Sequence, residues 1–270
     1  MLAAVSSLSL ANASGQIAIH ETFDGPSLPA GWTVSVAPVA TQHHYTFSGG
    51  ILFSDADPVA DQSTSIIPAS ANTRGFVTFR YNLPESVQDF TASMSFTWDN
   101  SVGTTQSGVR NSNSATPNLY FGLYDEGNGI VARSGLYDNW ASGTGGYASI
   151  LTGVAPINAT SGTAAAVSNG VNTINISRTN GVININWVDG DGNTLLSQTG
   201  SNTTDLSYLV IQFGMFRSAS DPTTTKFGSA LVSEVTFNAI PEPSSAGLIG
   251  ISSIALGGLL GRKLKKERAK

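Results

Sequence analysis

At 270 residues without a cysteine, the chain has neither a disulfide framework nor a thiolate metal site. Only 11% of its residues are charged, against about 25% in an average globular domain, so its surface is built mainly from Ser, Thr, Asn and Gly. Before Arg262 seven basic residues face seventeen acidic ones, a net charge near −10 that argues against a nucleic-acid partner.

Leu2 to Leu10 is apolar and small, and Ala11-Asn12-Ala13 places small residues where signal peptidase reads them, so Ser14 is the expected mature start. No basic residue precedes Ser14; a start codon assigned too far downstream accounts for this, and residues 1–13 are the expected remainder of a signal peptide. His20, His43 and His44 are the only histidines, and neither a His-Glu-x-x-His nor a Gly-x-Ser-x-Gly run is present. His43-His44 reads as an edge pair rather than a metal site, and Asp55-Ala56-Asp57-Pro58 with Asp61 as an acidic loop.

Val77, Phe79 and Tyr81 alternate with polar residues. Phe90, Ala92, Met94, Phe96 and Trp98 share one face of the next strand and hydroxyls take the other, the mark of a half-buried strand. Leu119, Phe121 and Leu123 repeat the pattern. Asp125-Glu126 is the nearest approach to a carboxylate pair, but adjacent strand residues face opposite ways and Gly127-Asn128-Gly129 marks a turn. From Ser134 to Gly170 strand periodicity fades and Gly, Ser and Ala dominate, so a long loop is expected. Tyr137, Asp138, Asn139 and Trp140 are the candidate glycan contacts there, rings for stacking and polar groups for hydroxyls; rings folded over the sandwich edge are the alternative.

Ile174 and Ile176 lead into Arg178-Thr179-Asn180-Gly181, and Ile183, Ile185 and Trp187 alternate after it, a hairpin closed by Asn-Gly. Asp189, Asp191 and Asn193 are the candidate calcium ligands, because Asp and Asn oxygens two residues apart suit a hard cation. The EF-hand pattern fails, since Thr194 stands at the glycine position and Gly200 at the bidentate glutamate, and an ordinary Asp-Gly turn is the competing reading. No cofactor is otherwise implied. Tyr208–Met215 and Ala230–Phe237 are the closing strands.

About a dozen short strands, each with one apolar face, predict an all-β, two-sheet antiparallel β-sandwich over residues 14–239. Glu21-Thr22-Phe23-Asp24-Gly25 followed by Leu28-Pro29-Ala30-Gly31-Trp32 resembles the opening of concanavalin A-like, lectin/glucanase jelly-roll domains. The resemblance implies that the first and last strands pair, setting Ile17–Phe23 beside Ala230–Phe237. An immunoglobulin-like sandwich or another jelly roll are the alternatives.

Residues 240–270 form a three-part tail. Pro241 and Pro243 keep Pro241-Glu242-Pro243-Ser244 extended and accessible. A charge-free apolar run to Gly261 follows; as a helix from Ala246 it spans roughly 24 Å, a short transmembrane segment against a hydrocarbon core of ~30 Å. Arg262, Lys263, Lys265, Lys266 and Arg268 then hold that end on the cytoplasmic side. This order resembles a PEP-CTERM sorting domain. The resemblance implies an exosortase-type processing enzyme, a transient inner-membrane anchor, and release to the cell surface or extracellular matrix of a Gram-negative-type, exopolysaccharide-producing bacterium.

Glucanases of the concanavalin A-like group carry Glu-x-Asp-x-Glu on one strand, and no such run occurs. The glutamates before Arg262 are Glu21, Glu85, Glu126, Glu234 and Glu242, scattered along the chain. The expectation is therefore a non-catalytic structural or weakly polysaccharide-binding surface protein. The alternative is a secreted carbohydrate-active enzyme whose two carboxylates converge only in space.

Overall fold

Alternating apolar and hydroxyl side chains build strands, and the apolar faces require a second sheet to cover them. The computed structural model describes residues 17–37, 45–47, 49–54, 73–99, 105–107, 109–110, 119–139, 143–152, 155–161, 170–217, 224–226 and 229–240. The strands begin with β1 (Ala18–Glu21), β2 (Trp32–Ala37), β3 (Tyr45–Phe47), β4 (Ile51–Ser54), β5 (Thr73–Val87) and β6 (Phe90–Asp99). They continue with β7 (Thr105–Ser107), β8 (Val109–Arg110), β9 (Leu119–Tyr124), β10 (Ile130–Asn139), β11 (Gly143–Thr152) and β12 (Ala155–Ser161). The last are β13 (Val171–Thr179), β14 (Val182–Val188), β15 (Thr194–Ser201), β16 (Leu206–Arg217), β17 (Thr224–Lys226) and β18 (Ser229–Ala239).

Two antiparallel sheets result. The first, sheet A, runs β15-β14-β13-β6-β18-β4-β3, with β1 also on β18. The second, sheet B, runs β12-β11-β10-β9-β16-β5-β2, with β8 also on β16. Strands β7 and β17 form a separate ribbon. The first and last strands pair as the resemblance implied, with Ile19 opposite Phe237 and Glu21 opposite Val235.

The core fills the space between the sheets. The predicted inward faces are all buried: Phe90, Ala92, Met94, Phe96 and Trp98 on β6, and Ile183, Ile185 and Trp187 on β14. Phe53 of sheet A stacks on Phe213 of sheet B at 5.0 Å between ring centroids and meets Phe79 edge-on at 5.7 Å. The Trp187 indole, 5.7 Å from Phe96, donates its Nε1–H to Asn172 Oδ1 at 3.0 Å, so a large ring is buried without an orphaned donor. Pro84, which has no N–H to give a ladder, sits on β5 where the register with β16 shifts and β2 has already ended.

The segment from Ser134 to Gly170 is not a loop. It contributes the end of β10 and all of β11 and β12, which extend sheet B edgewise. Tyr137, Asp138 and Asn139 lie on β10, paired with Gly145, Thr144 and Gly143. Periodicity missed these strands because small residues carry no apolar alternation, while backbone pairing to an existing sheet edge holds them regardless of side chain. Among the described residues no helix is long and apolar enough to cross a membrane. Residues 1–16 and 241–270, with the Pro-Glu-Pro motif and apolar run, lie outside the described residues, as do Trp140, His43, His44, Asp55, Asp57 and Asp61.

Candidate functional site

The β9–β10 turn and the β15–β16 loop meet at one end of sheet B. Asp125 N donates to Gly129 O at 3.0 Å, Asn128 N to Asp125 O at 3.2 Å, and Gly129 N to Asp125 Oδ1 at 2.6 Å. Asn128 occupies the left-handed region with φ 66°, a conformation Asn tolerates better than most residues. Across from this turn, Asn202 N donates to Gly181 O at 2.9 Å and Thr204 N to Asn202 Oδ1 at 2.7 Å. Between the two lies a shallow cleft of about 480 Å³, lined by Asp125, Glu126, Thr203, Thr204, Asp205 and Ser207 with Ser86 and Gly127. Glu126 and Asp205 are exposed, whereas Asp125 is tied into its turn.

The cleft rests on a buried cation. Arg178, 1% exposed, donates from Nε to Gln88 O, from Nη2 to Val87 O at 2.8 Å, and from Nη1 to Thr204 O at 2.5 Å and Asn202 O at 3.4 Å. Its guanidinium also lies 5.1 Å from the Phe90 ring centroid. Burial pulls its pKa below the ordinary arginine value, and Asp89 and Asp205 oppose that shift. One side chain thereby ties the β5–β6 turn to the loop that carries Asp205. The sequence held the signal, because Arg178 continues the inward parity of Ile174 and Ile176.

The outward face of sheet B adjoins the cleft and carries a tyrosine ladder. Tyr208 and Tyr124 are directly opposed on β16 and β9 and stack at 5.2 Å with 4° between ring planes. Arg80 of β5 lies 3.5 Å from the Tyr208 ring centroid and donates its Nε–H to Asn82 Oδ1 at 2.7 Å. Tyr124 donates its hydroxyl to Tyr120 at 3.1 Å, and Arg133 lies 5.6 Å from the Tyr120 ring. Tyr208 donates to Asn128 Oδ1 at 2.8 Å, joining the ladder to the cleft turn. Burial, then Tyr124, pushes the Tyr120 phenol well above its ordinary pKa; burial also raises Tyr208, against Arg80. Both phenols therefore stay protonated, and Tyr208 serves as a donor. The ladder was legible only as the second parity of Leu119–Tyr124, where Tyr120, Gly122 and Tyr124 replace the polar residues of an exposed face.

The candidate calcium turn is closed by its own aspartate. Asp189 Oδ1 accepts from the N–H of Asp191 at 3.0 Å and of Asn193 at 2.8 Å, and Oδ2 accepts from Asn193 Nδ2 at 3.2 Å. The Asn193 backbone bond, foremost, lowers the Asp189 pKa below the usual carboxylate range. Among the described residues no three His, Asp or Glu side chains are grouped to hold a metal.

No protein-family model and no curated protein matches the chain. Among solved structures the chain is similar to the CBM2 module of the Lactobacillus casei BL23 phage J-1 evolved Dit. That match has a TM-score of 0.53 at 12% identity over 84% of this chain and 99% of that one. It is also similar to Bacillus licheniformis β-glucanase, with a TM-score of 0.50 at 10% identity over 82% and 97% of the two chains. At these identities the fold is what is shared, a lectin/glucanase-type sandwich. The expectation of a non-enzyme, drawn from the missing Glu-x-Asp-x-Glu run, is thereby corrected. A scaffold of this type carries an enzyme in that glucanase, and the fold here brings Asp205 to the cleft lined by the adjacent Asp125 and Glu126.

Proposed function

We propose that the chain is an exported, carbohydrate-active protein whose sandwich cleaves polysaccharide and whose tail delivers it to the cell surface or matrix. The observation that carries this reading is the cleft that Asp125, Glu126 and Asp205 line together, beside a tyrosine-bearing sheet face. Glycoside hydrolysis needs one carboxyl group to protonate the leaving oxygen and a second to attack or to activate water. Glu126 and Asp205 take those roles, Asp125 shapes the turn, and Thr203, Thr204 and Ser207 supply hydroxyls for the sugar. Pro241-Glu242-Pro243-Ser244, the apolar run and the basic cluster support sorting through signal peptidase, the membrane and an exosortase-type enzyme.

Release of reducing ends from soluble β-glucans and acidic polysaccharides tests the catalytic reading. Turnover is expected, and Glu126→Gln or Asp205→Asn should lower kcat at least ~100-fold, the scale of a lost acid or base. No turnover on any polysaccharide, or unaltered rates in both variants, would overturn it.

A further inference from the structure

Sheet A turns its apolar parity to the core and a different surface to water. The register of its strands lays the outward side chains in rows across the sheet. One row runs Ser197, Asn186, Asn175, Ser93, Thr236 and His20, from β15 through β14, β13, β6 and β18 to β1. The next runs Thr199, Asn184, Ser177, Thr91 and Asn238 over the same strands as far as β18. None of these residues is buried. Neighbouring strands stand about 4.8 Å apart, so six of them present a face about 24 Å wide.

This face is nearly free of charge. Of the seventeen acidic residues before Arg262, Glu234 alone stands beside these rows. The register shift after Val232 turns it outward, and His20 Nε2 lies 2.8 Å from its Oε1. Arg178, the only Lys or Arg on the strands of sheet A, is buried. The polar groups are also held in place by one another. Ser93 and Thr236 share a hydrogen bond at 2.7 Å, Ser95 and Thr173 one at 3.2 Å, and Thr199 donates to Asn184 Oδ1 at 2.9 Å. A hydroxyl with one bond made keeps capacity for another, and a side chain already fixed loses less entropy to a ligand.

Charge decides what such a face can hold. A polyanion finds no cation there, on a chain whose net charge before Arg262 is near −10. A polycation finds one carboxylate, already paired. A protein interface is enriched at its centre in aromatic residues, Met and Arg, and these rows contain none. A neutral sugar polymer fits, because each of its hydroxyls both donates and accepts, as do Ser and Thr hydroxyls and the Asn amide. We infer that the outward face of sheet A binds a neutral, insoluble polysaccharide, weakly at each sugar and by repetition along the rows. An open face suits the packed chains of a solid, where many small contacts add as in any multivalent contact. It is separate from the cleft at the end of sheet B and needs no cleavage, so it stands or falls apart from the catalytic reading.

Co-sedimentation of the full chain with microcrystalline cellulose, insoluble β-1,3-glucan and chitin tests this, in mild detergent that masks the apolar C-terminal run. At least one of the three should deplete the protein from solution. Retention should be unchanged between about 0.1 and about 1 M salt, as the Debye length falls from about 10 to about 3 Å. Carboxymethyl cellulose resin should retain at least ~10-fold less than the best neutral solid. Asn175→Ala combined with Asn186→Ala should weaken retention at least ~10-fold. The salt series and the carboxymethyl comparison need no variant, so they hold even if the double variant fails to fold. No retention on any neutral solid, loss of retention in 1 M salt, equal retention on the carboxymethyl resin, or a folded double variant that binds like the parent would overturn the inference. A parent that sedimentation velocity finds dimeric, with the double variant monomeric, would overturn it too and assign the face to a second copy of the chain.

Discussion

Arg178 shows how much one side chain holds together. Its guanidinium satisfies carbonyls of Val87, Gln88, Asn202 and Thr204 in a site from which water is excluded. Methionine would fill much of the volume and leave those acceptors without donors. Buried unsatisfied groups cost about 1–3 kcal/mol each, so Arg178→Met should lose at least ~3 kcal/mol in urea unfolding. A loss below ~1 kcal/mol would show that the loop carrying Asp205 does not depend on it. Asp189 gives a pH signature. Its folded pKa lies below the unfolded value, so its contribution is present above about pH 4 and is lost as pH falls through the folded value. The stability gap between the parent and Asp189→Asn should thus be open at pH 7 and close in acid; a gap independent of pH would mean that the carboxylate charge is idle.

At the scale of elements, β6 and β9 make opposite use of alternation. On β6 one parity is core and the other hydroxyl, so Phe96→Ala removes only core packing and should cost ~3–5 kcal/mol. On β9 both parities are buried, and Gly122 is the reason the outer one closes. A Cβ there would stand 2.6 Å from a Tyr124 ring carbon and 3.2 Å from one of Tyr120. Gly122→Ala should therefore separate the two hydroxyls, alter the tyrosine signal in near-ultraviolet circular dichroism, and cost ~1–3 kcal/mol. An unchanged spectrum would mean that the ladder adjusts freely. The β13–β14 hairpin behaves as its Asn180-Gly181 turn demands: φ is 50° and 77° at the two positions, and Thr179 pairs with Val182.

For the whole molecule, β18 is decisive. It runs between β6 on one side and β4 with β1 on the other, so the last strand in sequence is central in space. A chain stopped before Ser229 should fail to fold, giving a featureless proton NMR spectrum, whereas one stopped after Ile240 keeps every described strand. A cut near Pro241 is therefore compatible with an intact sandwich. Intact mass spectrometry of extracellular protein should find chains ending near Pro241 that lack Leu248–Lys270. Recovery of those residues on soluble secreted protein would sink the sorting proposal.

Local chemistry was enough to read the strands whose apolar residues alternate, the Asn-Gly hairpin and the hydroxyl-rich surface, because burial on one face of a strand imposes a period of two on the sequence itself. The sorting proposal likewise rests on a linear reading, the order of motif, apolar run and basic cluster in residues 240–270. The small-residue strands β11 and β12 are not, since the hydrogen bonds that hold them are made by a neighbour's backbone and leave no mark on side-chain type. The site is not legible either. Asp205 shares a cleft with Glu126, and Arg80 meets Tyr208, only because antiparallel pairing and a buried arginine bring distant loops and strands together. Convergence of that kind is a property of the packed sheets, and no spacing along the chain encodes it.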